Sequence, residues 1–369
     1  MHDFVTLTIA DVRRRTPGAI EIVFMLPDAL RSRFAFQPGQ HVNLGADIDG
    51  LEVRRSYSIC SDPADANLRI AIKRVDDGQF SNWAHANFVP GQTIGVSPPA
   101  GRFQLKPGDG EPRLLLAIAA GSGITPIISI VRHALRTEPL TRVAMIYGNR
   151  TVEEILFRDE LEDLKDRYLD RFTLINVLSR GDMTETPLLE GRIDGAKLKA
   201  LCAGLAVNEL AHAYLCGPGN LIKDARNTLF GLGVARERVH HEFFAAGGGA
   251  YRAAAATAAA VTSEPQLAPQ HPQPAPDAAE AVITLDGLLH RFKMRPGETV
   301  IEAALRAGIR VPYACRGGMC CTCRAQVLEG VAVMKVNYSL EPWETAKGFV
   351  LTCQAVATSP RLVLDYDQM

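Results

Sequence analysis

The sequence lacks an excess of either charge: 40 Lys and Arg stand against 41 Asp and Glu in 369 residues. That balance withholds the basic footprint needed to grip nucleic acid or an anionic membrane, so proteins and small molecules are the expected partners. Also missing at the start is the basic stretch, apolar core and small-residue cleavage site of a secretory segment, which predicts a cytoplasmic chain. No membrane helix is expected either. The longest uncharged run, LLLAIAAGSGITPIISIV at 114–131, is broken by Gly-Ser-Gly and Thr-Pro and reads as two buried elements joined by a turn. Internal repeats are absent as well.

What the chain does have is cysteine: eight residues, four of them in the stretch ACRGGMCCTCR at 314–324. In a reducing compartment such crowding favours metal or redox chemistry over disulfides. Cys315, Cys320 and Cys323 are spaced C-x4-C-x2-C, and Cys353 follows in VLTCQA. This is the framework of a plant-type [2Fe-2S] cluster, with two thiolates for each iron. Arg316, Gly317 and Gly318 suit it, because backbone N–H groups approach sulfur closely where no Cβ intervenes. Cys321 is left over, packed or facing solvent. Tetrahedral zinc is the alternative, but zinc ribbons present two short pairs on separate knuckles, whereas here three ligands share one loop.

The remainder changes rhythm along its length. Residues 1–108 carry short runs such as AIEIVFML and LRIAIKRV between Pro-Gly and Asp-Gly turns, predicting an antiparallel β-barrel. Residues 109–245 alternate apolar strands with helical segments, predicting an α/β doubly wound parallel sheet. Residues 246–280 are Ala- and Pro-rich with few large apolar groups, and read as a linker. Residues 281–369 open on a hairpin around Asp286-Gly287 and an amphipathic helix before the cysteine loop.

Gly121 and Gly123, in AIAAGSGITP, lie between a strand and a helix, where a pyrophosphate can approach backbone amides; Thr125 follows, and Pro126 stands in place of a third glycine. Where an NAD site would show an acidic residue, IYGNR offers Tyr147, Asn149 and Arg150, and NVLSR offers Ser179 and Arg180. Cations and hydroxyls suit a 2′-phosphate, so NADPH is favoured, with NADH possible.

With VRRSYSIC, VDDGQFSNW, HHEFF and YLCGPG, these motifs resemble the ferredoxin–NADP reductase family, with a plant-type ferredoxin domain at the C-terminus. The resemblance implies FAD rather than FMN. Arg55 then pairs with the flavin phosphate, Tyr57 packs on the flavin, and Ser58 bonds near its N5. Gly78, Phe80 and Ser81 match the family's Gly-x-x-Ser segment at a helix N-terminus. Glu242 and Phe244 match its acidic residue and shielding aromatic, and Cys216, Gly217 and Pro218 its Cys-Gly-Pro motif beside the nicotinamide. Ser58, Cys216 and Glu242 are thus the expected catalytic residues.

For residues 281–369 the resemblance implies a β-grasp fold. Ten Lys and Arg against eight Asp and Glu there depart from the acidity of free plant ferredoxins. A tethered domain needs little steering. The whole resembles reductase components of multicomponent oxygenases. YGNRT, GRIDGAKL, NYSLEPWE and GFVLTCQA point within that class to reductases of phenylacetyl-CoA epoxidases, implying a di-iron oxygenase as partner. The alternatives are a reductase for a Rieske or other oxygenase and, in another class, a non-catalytic module binding zinc and nucleotide.

Overall fold

The computed structural model describes residues 4–180, 186–244 and 278–368, so nearly all of the stretch read as a linker lies outside the described residues. The first six strands are β1 (Val5–Thr16), β2 (Ala19–Met25), β3 (His41–Ile48), β4 (Leu51–Ser58), β5 (Leu68–Lys73) and β6 (Thr93–Val96), in the sheet order β4-β3-β6-β1-β2-β5. Asp49 and Gly50, both at positive φ, make the two-residue turn between β3 and β4, the chemistry that matches strand twist.

The sheet closes on itself. Immediately after β4, Ile59 bridges Ile70 of β5, and Cys60 N–H donates to Arg69 O at 2.9 Å. Inside lie Leu7, Ile9, Ile22, Phe24, Val42, Leu44 and Ile70, and helix α1 (Gln79–Asn87) adds Phe80 and Ala84. Each such large side chain contributes roughly 1.5–3 kcal/mol by leaving water.

Next comes a five-stranded sheet in the order β11-β10-β7-β8-β9, built of β7 (Leu114–Ala120), β8 (Arg142–Asn149), β9 (Phe172–Leu178), β10 (Leu210–Gly217) and β11 (Val239–Phe243). Every pairing in it is parallel. Period-two alternation explains the helices on both faces. Leu115, Ala117 and Ala119 of β7 pack with α2 (Ile124–Thr137) and α3 (Arg158–Arg167), while Leu114, Leu116 and Ile118 pack with α4 (Gly195–Cys202) and α5 (Gly219–Gly231). The chain leaves β7 first towards β9 and later returns to β10 and β11, so a topological switch point opens at the carboxyl ends of β7 and β10.

Barrel and parallel sheet form one compact unit. Glu21, fully buried on β2, accepts from Arg15 Nε at 2.8 Å and from an Arg69 guanidinium nitrogen at 2.7 Å, and both arginines also reach Glu160 of α3. Ser129 of α2 donates to Ser61 O at 2.7 Å, and Arg136 to Asp62 at 2.7 Å. Among the described residues no helix is long and apolar enough to cross a membrane.

The C-terminal unit holds β12 (Ala279–Leu285), β13 (Leu288–Met294), helix α6 (Val300–Arg306), β14 (Arg324–Glu329), β15 (Ala332–Met334), helix α7 (Pro342–Ala346), β16 (Phe349–Leu351), β17 (Ala355–Ala357) and β18 (Arg361–Asp365). Strand β12 begins two residues inside the stretch read as linker. The main sheet runs β13-β12-β18-β14-β16, with β12 and β18 parallel and the other pairs antiparallel. Helix α6 starts on a capping box of Thr299 and Glu302 and buries Val300, Ile301, Ala303 and Ala304. A mixed sheet gripping one helix is the β-grasp arrangement.

Candidate functional site

Three elements far apart in sequence meet at the switch point. Ser58 ends β4 and is buried; its hydroxyl donates to Glu242 Oε2 at 3.2 Å. Parallel pairing sets Cys216 of β10 opposite Glu242 of β11, and Phe244 N–H donates to Gly217 O at 2.9 Å. Burial first, and the Glu242 charge second, push the Cys216 thiol well above its ordinary range, so it stays protonated. Pro218 follows as the N-cap of α5. Sequence reasoning missed His41: at the start of β3, it lies buried with Nδ1 3.9 Å from Glu242 Oε1. A Cβ on Gly101 would sit 2.8 Å from that ring, so the glycine makes room for it.

The glycine turn is built for close approach. Gly121 has φ +53, and a Cβ on Gly123 would stand 2.2 Å from Cys216 O. Helix α2 starts there with no side-chain cap, directly after a turn at Gly121–Gly123 whose carbonyls accept from Ile124 N–H, and a helix N-terminus of this kind favours an anion. Thr125 is buried and donates to Ser122 O at 3.0 Å, so its hydroxyl holds the turn in shape. Tyr147 is wholly buried and donates to Gly121 O at 3.0 Å, again holding the turn from beneath. Lys73, which sequence reasoning passed over, brings its ammonium to 3.5 Å from where a Gly121 Cβ would be.

At the barrel, Arg55 donates to Arg54 O at 2.7 Å and pairs with no carboxylate among the described residues. The Tyr57 ring lies 5.8 Å from Phe80. Phe80 itself is 1% exposed, against Trp83 and Phe88 as well, so it supports Tyr57 from the core. The Ser81 hydroxyl accepts from Val75 N–H at 3.2 Å and donates to Gly78 O at 3.3 Å. Gly78 is the N-cap of α1, whose first turn has no side-chain cap. An uncapped helix start suits an anion such as a phosphate of a flavin dinucleotide.

At the strand ends beyond the glycine turn, Ser179 N–H donates to Asn149 O at 2.9 Å and Arg180 N–H to Arg150 O at 2.8 Å, holding both arginines at neighbouring carboxyl ends. They differ in freedom. Arg150 Nε bonds Glu154 at 2.8 Å, and Lys73 reaches the same carboxylate at 3.3 Å. Arg180 is exposed and has no carboxylate partner among the described residues. The Asn149 amide, buried beside the Tyr147 hydroxyl, makes no hydrogen bond of good geometry among the described residues.

All eight thiols of the chain are free, and four of them, three in the cysteine loop together with Cys353, come as two pairs. Cys315 lies against Cys320, whose thiol pushes it well above its ordinary range together with burial; Cys323 lies in the same way against Cys353. No group of three or more His, Cys, Asp or Glu forms a single-ion site among the described residues. Two thiol pairs near one another suit the two irons of a [2Fe-2S] cluster. Gly317 N–H already donates to Cys315 Sγ at 3.3 Å. Cys321, at φ +54, packs against the domain core instead.

Family models match at three places: an oxidoreductase FAD-binding domain over 12–105, an oxidoreductase NAD-binding domain over 117–227 and a 2Fe-2S iron-sulfur cluster binding domain over 283–358. The chain is 38% identical to one of the subunits of the 1,2-phenylacetyl-CoA epoxidase of Escherichia coli strain K12, across 100% of this chain and 99% of that one. It is 34% identical to the ferredoxin reductase component of 3-ketosteroid-9-alpha-monooxygenase from Rhodococcus rhodochrous, over 98% and 97%. Phthalate dioxygenase reductase shares the fold with a TM-score of 0.58 at 23% identity, covering 98% of each chain. The chain thus belongs to the family of oxygenase reductases that carry an FAD-binding, a nicotinamide-binding and a [2Fe-2S] domain on one polypeptide.

Proposed function

We propose that this reductase draws on NADPH and delivers electrons to a di-iron oxygenase that epoxidises phenylacetyl-CoA, in the cytoplasm, as part of aromatic catabolism. Full-length similarity to a component of such an epoxidase supports the substrate, and eight free thiols suit a reducing compartment. Arg180, without a carboxylate partner among the described residues and beside Arg150, favours a 2′-phosphate on the coenzyme. The observation that carries the reading is the Ser58–Glu242 bond beside Cys216, which puts a hydroxyl, a carboxylate and a neutral thiol at the switch point.

When bound, FAD takes a hydride from the nicotinamide and releases electrons singly, and the cluster carries them one at a time. The chain's own residues do the rest. By the family resemblance Arg55 would pair with a flavin phosphate; the first turn of α1 suits a phosphate as well, and Tyr57 offers a flat apolar surface. Gly121 and Gly123 admit the coenzyme's pyrophosphate to the start of α2. Ser58 donates its hydroxyl proton to Glu242, and this bond fixes the orientation of the hydroxyl at the switch point. Cys216, uncharged and buried, borders the nicotinamide without repelling a developing charge. Cys315, Cys320, Cys323 and Cys353 hold the cluster.

Anaerobic titration of the purified chain, following flavin and cluster bands separately, tests the relay. NADPH should reduce both at lower concentration than NADH does. Coupling should then appear with a phenylacetyl-CoA epoxidase as acceptor; coupling to a Rieske oxygenase alone would redirect the assignment. A colourless, zinc-bearing preparation would end it.

A further inference from the structure

The side chain of Gln354 spans the two halves of the cysteine site. Its Nε2 donates to Arg316 O in the ligand loop at 2.8 Å and approaches Cys353 Sγ at 3.6 Å, a hydrogen-bond distance for sulfur. A primary amide has two N–H donors, one for each contact. Its orientation is fixed, since turning the amide over would set Oε1 against the Arg316 carbonyl. The residue is 8% exposed and held at both backbone atoms, its N–H donating to Leu351 O at 2.8 Å and its carbonyl accepting from Lys335 N–H at 3.0 Å. Its Cγ lies 3.3 Å from where a Gly318 Cβ would project, so Gly318, at φ +75, leaves the space this side chain crosses.

We infer that Gln354 is a positioning residue that sets the reduction potential of the cluster, by donating a side-chain N–H to the Cys353 ligand while tying the loop that carries Cys315, Cys320 and Cys323. The inference rests on the [2Fe-2S] reading above. Backbone amides such as Gly317 N–H serve any sequence, but this donor exists only because the residue after the fourth ligand is a glutamine. Hydrogen bonds to ligand sulfurs stabilise the more negative, reduced state over the oxidised one, and so raise the potential. Loss of the donor should lower it.

The test uses the full-length holoprotein in an anaerobic electrochemical cell, with the cluster followed by visible and EPR spectra. Gln354→Met keeps length and removes both donors; Gln354→Glu keeps shape and replaces the donors with a charge. Both should retain the cluster's visible bands and the flavin's midpoint. At a fixed potential the ratio of reduced to oxidised cluster should fall about fivefold in the Met variant, the size of one net hydrogen bond, and further in the Glu variant. A cluster midpoint equal to wild type in both variants overturns the inference. Should the variants lose the cluster, pulsed EPR of reduced wild-type protein labelled with 15N in the glutamine side chain decides: a coupling from that nitrogen supports the contact, and its absence overturns it. Since the electrode needs no coenzyme, failure of NADPH to reduce the chain counts against the reductase reading alone.

Discussion

Ser58 and Glu242, separated by most of the reductase portion of the chain, share a hydrogen bond of 3.2 Å at the point where the barrel meets the parallel sheet. Only the final strand of the nicotinamide domain brings the carboxylate there, so the acid–base pair exists only when both domains are folded and docked.

Replacing Ser58 with Ala should slow reduction of bound FAD by NADPH by roughly tenfold to a hundredfold, the range expected when a positioned reacting group is displaced. FAD should remain bound, because its phosphates are held elsewhere. Stopped-flow absorbance measures the rate, and a rate equal to wild type would remove Ser58 from the mechanism.

Arg180 faces solvent with no carboxylate partner among the described residues, whereas Arg150 is engaged by Glu154. Arg180→Gln should raise the KM for NADPH by roughly tenfold or more, the worth of a charged hydrogen bond, and leave that for NADH unchanged. Steady-state kinetics with the two coenzymes checks this. An equal rise for both would show that the guanidinium contacts a part of the coenzyme common to the two.

Among the cysteines, Cys321→Ala should keep the visible spectrum and iron content of the cluster, and Cys323→Ala should lose both. Cys321 packs against the core and stands outside the two thiol pairs, while Cys323 lies against Cys353. Iron analysis with absorbance spectra distinguishes the two, and the opposite pattern would reassign the ligands.

The pair His212 and His240 gives the nicotinamide domain an acid sensitivity. Their ring nitrogens stand 3.1 Å apart, and burial, followed by the charges of His212 and Lys106, pulls His240 down from its ordinary 6.5 to about 4. A group depressed in the folded state contributes stability that is fully present above its unfolded pKa and is lost as pH falls towards the folded one. Resistance to urea should therefore decline between about pH 6.5 and pH 4. His240→Gln should flatten that decline, as measured by urea midpoints across the range; an unaltered slope would assign the sensitivity to other groups.

The iron–sulfur domain, the glycine turn between β7 and α2 and the order of the domains were legible in the sequence, because each is a matter of spacing along the chain. Burial was not. Phe80, Ser81, Thr125 and Tyr147 stand beside ligand-binding segments, yet each faces inward and holds the turn or ring in front of it. A motif marks a neighbourhood and does not say which of its side chains face the ligand. His41 and Gln354 escaped for a related reason. Their importance comes from partners on distant strands, and a histidine in HVNL or a glutamine in TCQA carries no signal until the sheet pairs them. Lys73 likewise read as the polar end of a strand.

Ser58 is followed at once by Ile59 and Cys60, the residues that carry the chain from one edge of the barrel to the other. The seam of the cylinder and the chemistry are therefore consecutive residues, and neither can drift without the other. A slip of one position at this seam would turn the hydroxyl away from the carboxylate and unlatch the wall in a single event.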